Sequence, residues 1–131
     1  MADLGYFVVI HPDGSIEKVA TPGGAKEIQR FVGGFFENVY FNVYFENFPI
    51  TNVIASVNEE GKLIGLPINH LATYIYRDPY DYIVGDFVIQ KLDRVGEFNE
   101  LDQLPFSNFE AEALIDILSI YKFRFLMEED F

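Results

Sequence analysis

Residues 58–69 read NEEGKLIGLPIN, and the parsing of this stretch decides the fold. Asn58 to Gly61 has the chemistry of a tight turn: Asn bonds its own backbone and Gly accepts positive φ. Leu63 and Ile64 then read as a resumed strand. Gly65-Leu66-Pro67 ends it, because Pro cannot donate to a ladder. The preceding residues 53–57, VIASV, form a β-branched run. The expectation is a hairpin inside a mostly antiparallel sheet. Just past the break, Asn69-His70-Leu71-Ala72 starts a short helix reaching Tyr74 or Tyr76.

On the N-terminal side, residues 5–10 (GYFVVI) make a strand, closed by a Pro12-Asp13-Gly14 turn and returning over residues 15–19. Thr21-Pro22 reads as a helix start. Ile28, Phe31 and Val32 fall at helical spacing, and Gly33-Gly34 supplies the stop, giving a helix over residues 24–32. Residues 35–48 carry seven aromatics in fourteen positions. Read as a strand, they put Glu37, Val39, Phe41, Val43 and Phe45 toward the core and Asn38, Tyr40, Asn42 and Tyr44 on the other face. The strand breaks near Asn42 or Asn47.

On the C-terminal side, residues 82–92 (YIVGDFVIQKL) are the last clear strand, with a bulge or close approach at Gly85, and residues 96–105 are an acidic loop. Ser107-Asn108-Phe109-Glu110 is a capping box opening a helix to about Tyr121. Its apolar face is Phe109, Ala113, Leu114, Ile117, Leu118 and Tyr121, and its polar stripe is Glu112, Asp116 and Ser119. Residues 122–125 are either a frayed helix end or an edge strand. Together these signals predict an α+β fold, a mostly antiparallel twisted sheet of four to six strands with two main helices packed on one face.

Composition sets the limits. Half of the 131 residues are hydrophobic and 17% are aromatic, enough for a packed core in a single domain, residues 1–131. The absence of cysteine removes disulfides, Cys-type zinc sites and thiol nucleophiles. No basic segment precedes the first apolar run, and no stretch nears the roughly eighteen residues of a membrane helix. A soluble, cytoplasmic protein with no membrane partner is expected. Twenty-one acids against nine bases give a net charge of −12. That field repels nucleic acid, so no direct nucleic-acid binding is expected; it also favours partners with basic surfaces.

Catalytic chemistry finds no footing. The two histidines, His11 and His70, lack metal-ligand spacing, and a site would need them near Asp13, Asp78 or Asp81. No nucleophile elbow frames Ser15, Ser56 or Ser107. Glu59 and Glu60 are solvated turn acids, whereas Asp78, Asp81 and Asp86 among Tyr76, Tyr80 and Tyr82 form either hydrogen-bonded loops or a small polar pocket. No catalytic residue, cofactor or metal ligand is assigned, and an enzyme is the less favoured reading.

The order of these motifs carries a resemblance. Val32-Gly33-Gly34, Asn58-Glu59-Glu60-Gly61-Lys62-Leu63, Gly65-Leu66-Pro67-x-Asn69 and residues 82–89 (YIVGDFVI) follow one another. The chain resembles a family of small acidic proteins of unknown function encoded by phages, plasmids and integrative elements of Gram-positive bacteria. His70 stands where that family usually has a basic residue such as Arg, and the aromatic stretch is longer than is typical. A contact role for that Arg does not transfer. The resemblance implies an accessory protein in the host bacterial cytoplasm and supplies no activity.

Three functions compete. The first is a non-enzymatic protein-binding module or host-defence inhibitor that binds a host or phage protein through an acidic, DNA-mimicking surface. Its candidate residues are Asp93, Glu97, Glu100, Asp102, Glu112 and Asp116, with Tyr40 and Tyr44 from the aromatic strand. The second is a small-ligand-binding or enzymatic domain with a pocket at Gly65, Pro67, Asn69 and His70. The third is a homodimeric structural module joined by the aromatic strand or the last helix.

Overall fold

The computed structural model describes residues 4–43 and 52–129. Among them, the elements run β1 (Gly5–Ile10), β2 (Ile16–Thr21), α1 (Ala25–Val32), β3 (Phe36–Tyr40), β4 (Val53–Asn58), α2 (His70–Tyr76), β5 (Phe87–Val95), β6 (Glu100–Leu104) and α3 (Asn108–Glu129). The six strands form one antiparallel sheet in the order β2-β1-β5-β4-β3, and β6 pairs with the end of β5. Ile89 of β5 sits between Val8 of β1 and Ala55 of β4. Residues 91–95 of β5 then pair with β6. The α+β expectation holds.

The helices divide between the two faces. Val8, Ile10, Ala55, Phe87 and Ile89 join Leu71, Ala72 and Ile75 of α2 and Ala111, Leu114 and Leu118 of α3 in the larger core. The alternate residues Phe7, Val9 and Val88 pack with Ile28 and Val32 of α1 in a second cluster. So α1 and α3 do not share a face, contrary to the expectation. A strand covered on both faces must be apolar at every position, which is why β1 reads as an unbroken run.

Other boundaries moved for identifiable reasons. No strand resumes at Leu63. Both edges of β4 are already taken, by β3 and β5, so a returning arm has nothing to pair with. Residues 59–65 wind through turns instead, with Ile64 N–H bonded to Glu60 O at 3.0 Å and Leu66 N–H to Gly61 O at 3.0 Å. Residues 96–105 are not all loop: β5 continues to Val95, and β6 returns along it. Thr21 ends β2 and accepts from Gly23 N–H at 3.0 Å, so α1 starts at Ala25 and not at Pro22.

Several local signals act as read. Gly33 takes φ 80° and stops α1, its N–H bonded to Gln29 O. The capping box is reciprocal: Glu110 N–H donates to Ser107 Oγ at 3.1 Å, and Ser107 N–H to Glu110 Oε1 at 2.9 Å. Residues 122–125 are helix. Phe109 is 72% exposed, and Ala111, on the other side of the first turn, takes its place in the core. In the aromatic stretch, Val39 and Phe41 are buried and Val43 packs against them, whereas Phe45, Asn47 and Tyr44 lie outside the described residues.

A polar line crosses four strands on the α1 side. Ser56, fully buried, donates to Asn38 Oδ1 at 2.9 Å and accepts from the buried Gln90 Nε2 at 3.1 Å. Gln103 donates to Gln90 Oε1 and exchanges hydrogen bonds with the Asn38 amide at 3.0 and 3.1 Å. Ser56 and Gln90 are its buried members, and their satisfied bonds fix register, because a one-residue slip would leave both without partners.

Candidate functional site

The 58–69 motif is a joint in which each distinctive residue has a mechanical task. Asn58 Nδ2 donates to Val32 O, the end of α1, at 3.0 Å, and its Oδ1 accepts from Glu60 N–H at 2.8 Å. A Cβ on Gly61 would lie 2.8 Å from Val84 Cγ2, so only Gly fits. Gly85 combines φ 71° with a site 2.9 Å from Leu66 Cδ1 and donates its N–H to Pro67 O at 2.8 Å. Ile68 and Val84 form an antiparallel bridge.

Asn69 is fully buried and uses its whole amide. Nδ2 donates to Ile10 O at 2.8 Å and to Gly85 O at 2.9 Å. Oδ1 accepts from Ala72 N–H at 3.1 Å and caps α2. One side chain thus joins the end of β1, the approach to β5 and the start of α2. Asn69 therefore lines no pocket. Gly65 and Pro67 are exposed on the turn, and Leu66 packs against Gly85 between them. Of the four expected pocket residues, His70 borders a groove of about 220 Å³ shared with Pro12, Asp13, Gly14, Lys122 and Phe125.

The tyrosine-flanked acids serve three separate tasks and do not form one pocket. Asp78 accepts from Tyr80 N–H at 2.8 Å. Asp81 pairs with Lys62, which also lies over the Tyr82 ring, 4.4 Å from its centroid. The Asp81 hydrogen bond raises the Lys62 pKa against the opposing effect of burial, and Lys62 in turn lowers that of Asp81. Asp86 pairs with His11.

The His11 arrangement was missed by sequence reasoning. Nδ1 lies 2.8 Å from Asp86 Oδ1, and Nε2 lies 2.8 Å from Glu17 Oε2. Burial works to lower the His11 pKa, but the hydrogen bonds and charges of Asp86 and Glu17 outweigh it and raise it above 6.5. The signal was indirect: once Ile10 pairs with Phe87, residues 11 and 86 must be neighbours. Asp86 is 75 positions from His11, so spacing rules cannot find it. Among the described residues, no three His, Asp or Glu side chains group as a metal site requires. No helix among them is long and apolar enough to cross a membrane.

The expected acidic surface divides between two elements. Asp93, Glu100 and Asp102 share one face of the β5–β6 hairpin, and Glu97 lies in its turn; all four are exposed. Asp93 stands directly opposite Asp102. Among the described residues, no cation pairs with either one. Phe98, 82% exposed, occupies the turn, and Leu101 and Val95 are exposed nearby. Glu112, on α3, is engaged by Lys18 at 2.6 Å, and Asp116 is exposed on the same helix. Tyr40 is exposed at the end of β3, and Tyr44 lies outside the described residues.

With this geometry in place, comparison with protein families gives one match: the family described as "Domain of unknown function (DUF3846)" covers residues 6–110. The chain belongs to the DUF3846 family. The match runs from β1 through the whole joint to the capping box of α3, so the DUF3846 region contains every tie made by Asn58, Asn69 and Gly85. Neither a curated protein nor a solved structure matches the chain.

Proposed function

We propose that this DUF3846 protein is a non-enzymatic protein-binding module of a phage or other mobile element, docking on a basic surface through its β5–β6 hairpin. The observation that carries the reading is the Asp93–Asp102 pair. Like charges directly opposite on a ladder destabilise it by roughly 0.2–1 kcal/mol. This pair lies exposed, and among the described residues no cation relieves it. A basic partner removes the repulsion when it binds. Phe98 at the turn, with Val95 exposed on the same face as the acids, supplies an apolar anchor beside an acidic rim, the composition of a binding surface. The carboxylates of Asp93, Glu97, Glu100 and Asp102 stand in for phosphates on a protein that otherwise holds nucleic acid, which is how such a module would inhibit a host defence.

The test is capture of host proteins from bacterial lysate by the wild type and by an Asp93→Asn/Glu100→Gln/Asp102→Asn variant, at low and high salt. The expected result is a partner held at low salt and released by both high salt and the triple change. A partner held equally by both proteins at both salts would overturn the reading. A second reading, small-ligand binding, rests on the groove at His70. Thermal-shift screening with metabolites and nucleotides checks it.

A further inference from the structure

We infer that His11 is a protonation-operated clasp: as an imidazolium it holds three strand ends together beside the His70 groove, and as a neutral ring it can hold only two of them.

The argument begins with register. Ile10 pairs with Ile16 on one side and with Phe87 on the other. Both pairings are antiparallel, so the residue after Ile10 meets the residue before Phe87, which is Asp86, and the residue before Ile16, which is Ser15; Glu17, opposite Val9, lies diagonally from His11 on the same face. Both ring nitrogens of His11 face a carboxylate oxygen at 2.8 Å. A neutral imidazole has one N–H, so it can serve only one of them and must turn a lone pair on the other. The imidazolium serves both with charge-assisted bonds. The ring side chain is 30% exposed, so solvent screens this choice only in part.

The other charged groups around the clasp leave the ring as the titrating element. Asp13, in the turn that follows, is occupied by the N–H and hydroxyl of Ser15 at 2.8 and 2.6 Å. Lys122 of α3 and His70 at the start of α2 face the same turn across the groove. The turn is closed by its own bonds, Gly14 N–H to His11 O and His11 N–H to Ser15 O, each 2.9 Å. Its side-chain tie to the approach of β5 is His11–Asp86. Losing the proton therefore leaves one of the two side-chain ties without its donor and loosens this wall of the groove, while the ladder bonds of the sheet stay in place.

The sign follows from the raised pKa of His11. The stabilisation is complete below about 6.5, the unfolded value, and is lost as pH rises through the folded value.

NMR titration of both histidine rings, with amide exchange measured at each pH, tests the clasp. A His11 midpoint above 6.5 is expected, falling by at least half a unit in Asp86→Asn and in Glu17→Gln. Once corrected for intrinsic rates, exchange at Gly14 to Glu17 should rise several-fold across that midpoint in the wild type and show no step in His11→Gln. A midpoint at or below 6.5, or protection without a pH step, overturns the inference. If Asp86→Asn fails to fold, the rim substitution Glu17→Gln still decides.

Discussion

Replacing Asn69 by Asp tests the joint with almost no change of shape. The side chain keeps its size, and Asp caps a helix as well as Asn does, so the bond from Ala72 N–H survives. The two donors are lost, and the carbonyls of Ile10 and Gly85 are left facing an anion in a fully buried site. Each orphaned buried acceptor costs about 1–3 kcal/mol, so the pair costs at least ~3 kcal/mol once charge repulsion is added. Against a total stability of about 5–15 kcal/mol that is a large fraction, equivalent to a fall in Tm of about 10 °C. Urea unfolding followed by circular dichroism at pH 7 measures it, with Asn42→Asp, at an exposed position, as the reference. The deficit should shrink at low pH. Burial raises the introduced carboxyl's folded pKa, and its protonated form can donate to one of the two carbonyls, so destabilisation grows as pH rises from about 4. A loss below about 1 kcal/mol, or one no greater than the reference, would refute the view of Asn69 as a three-way tie.

The other predictions follow from single contacts. Gly85→Ala adds a Cβ 2.9 Å from Leu66 at φ 71°, and calorimetry should show a loss of about 2 kcal/mol. Ser107→Ala removes one half of the capping box and should cost about 1 kcal/mol in denaturant titration. Burial works to raise the Glu110 pKa, but its bonds to Ser107 and Lys91 lower it below 4.5, so that carboxylate's contribution is present above about pH 4.5 and lost as pH falls through the folded value. Acid titrations of the wild type and Glu110→Gln should diverge in that sense. Asp102→Asn should stabilise the isolated protein by a few tenths of a kcal/mol while weakening capture of a basic partner.

The sequence made its local signals legible and hid the long-range ones. The capping box at Ser107, the stop at Gly33 and the helix opening at Asn69 are read from four or five consecutive residues, and each acts as expected. The strand β6 reads as part of an acidic loop because its residues, ELDQL, show no apolar alternation and none of them is fully buried. Helical periodicity shows that α1 and α3 each have an apolar side, but not which face of the sheet it meets. The clue lay in β1, whose six residues offer no polar face at all. The 58–69 motif holds more than a turn requires, and the surplus serves attachment, as Asn58 and Asn69 show. The His11–Asp86 pair became visible only with the strand register.

The position of β5 in the sheet has a consequence during synthesis. β1 and β2 can pair as soon as they leave the ribosome, and so can β3 and β4, but among the described strands the ladder joins the two ribbons through β5. Until residue 95 has emerged, the two hairpins lack the strand that pairs with both, and the Val and Phe side chains that face β5 are not covered by it. A ribosome stalled before that point holds a sticky, unfinished product, whereas one that has passed it can close the sheet in a single step. Chaperone occupancy along the message should therefore peak just before β5 and collapse after it.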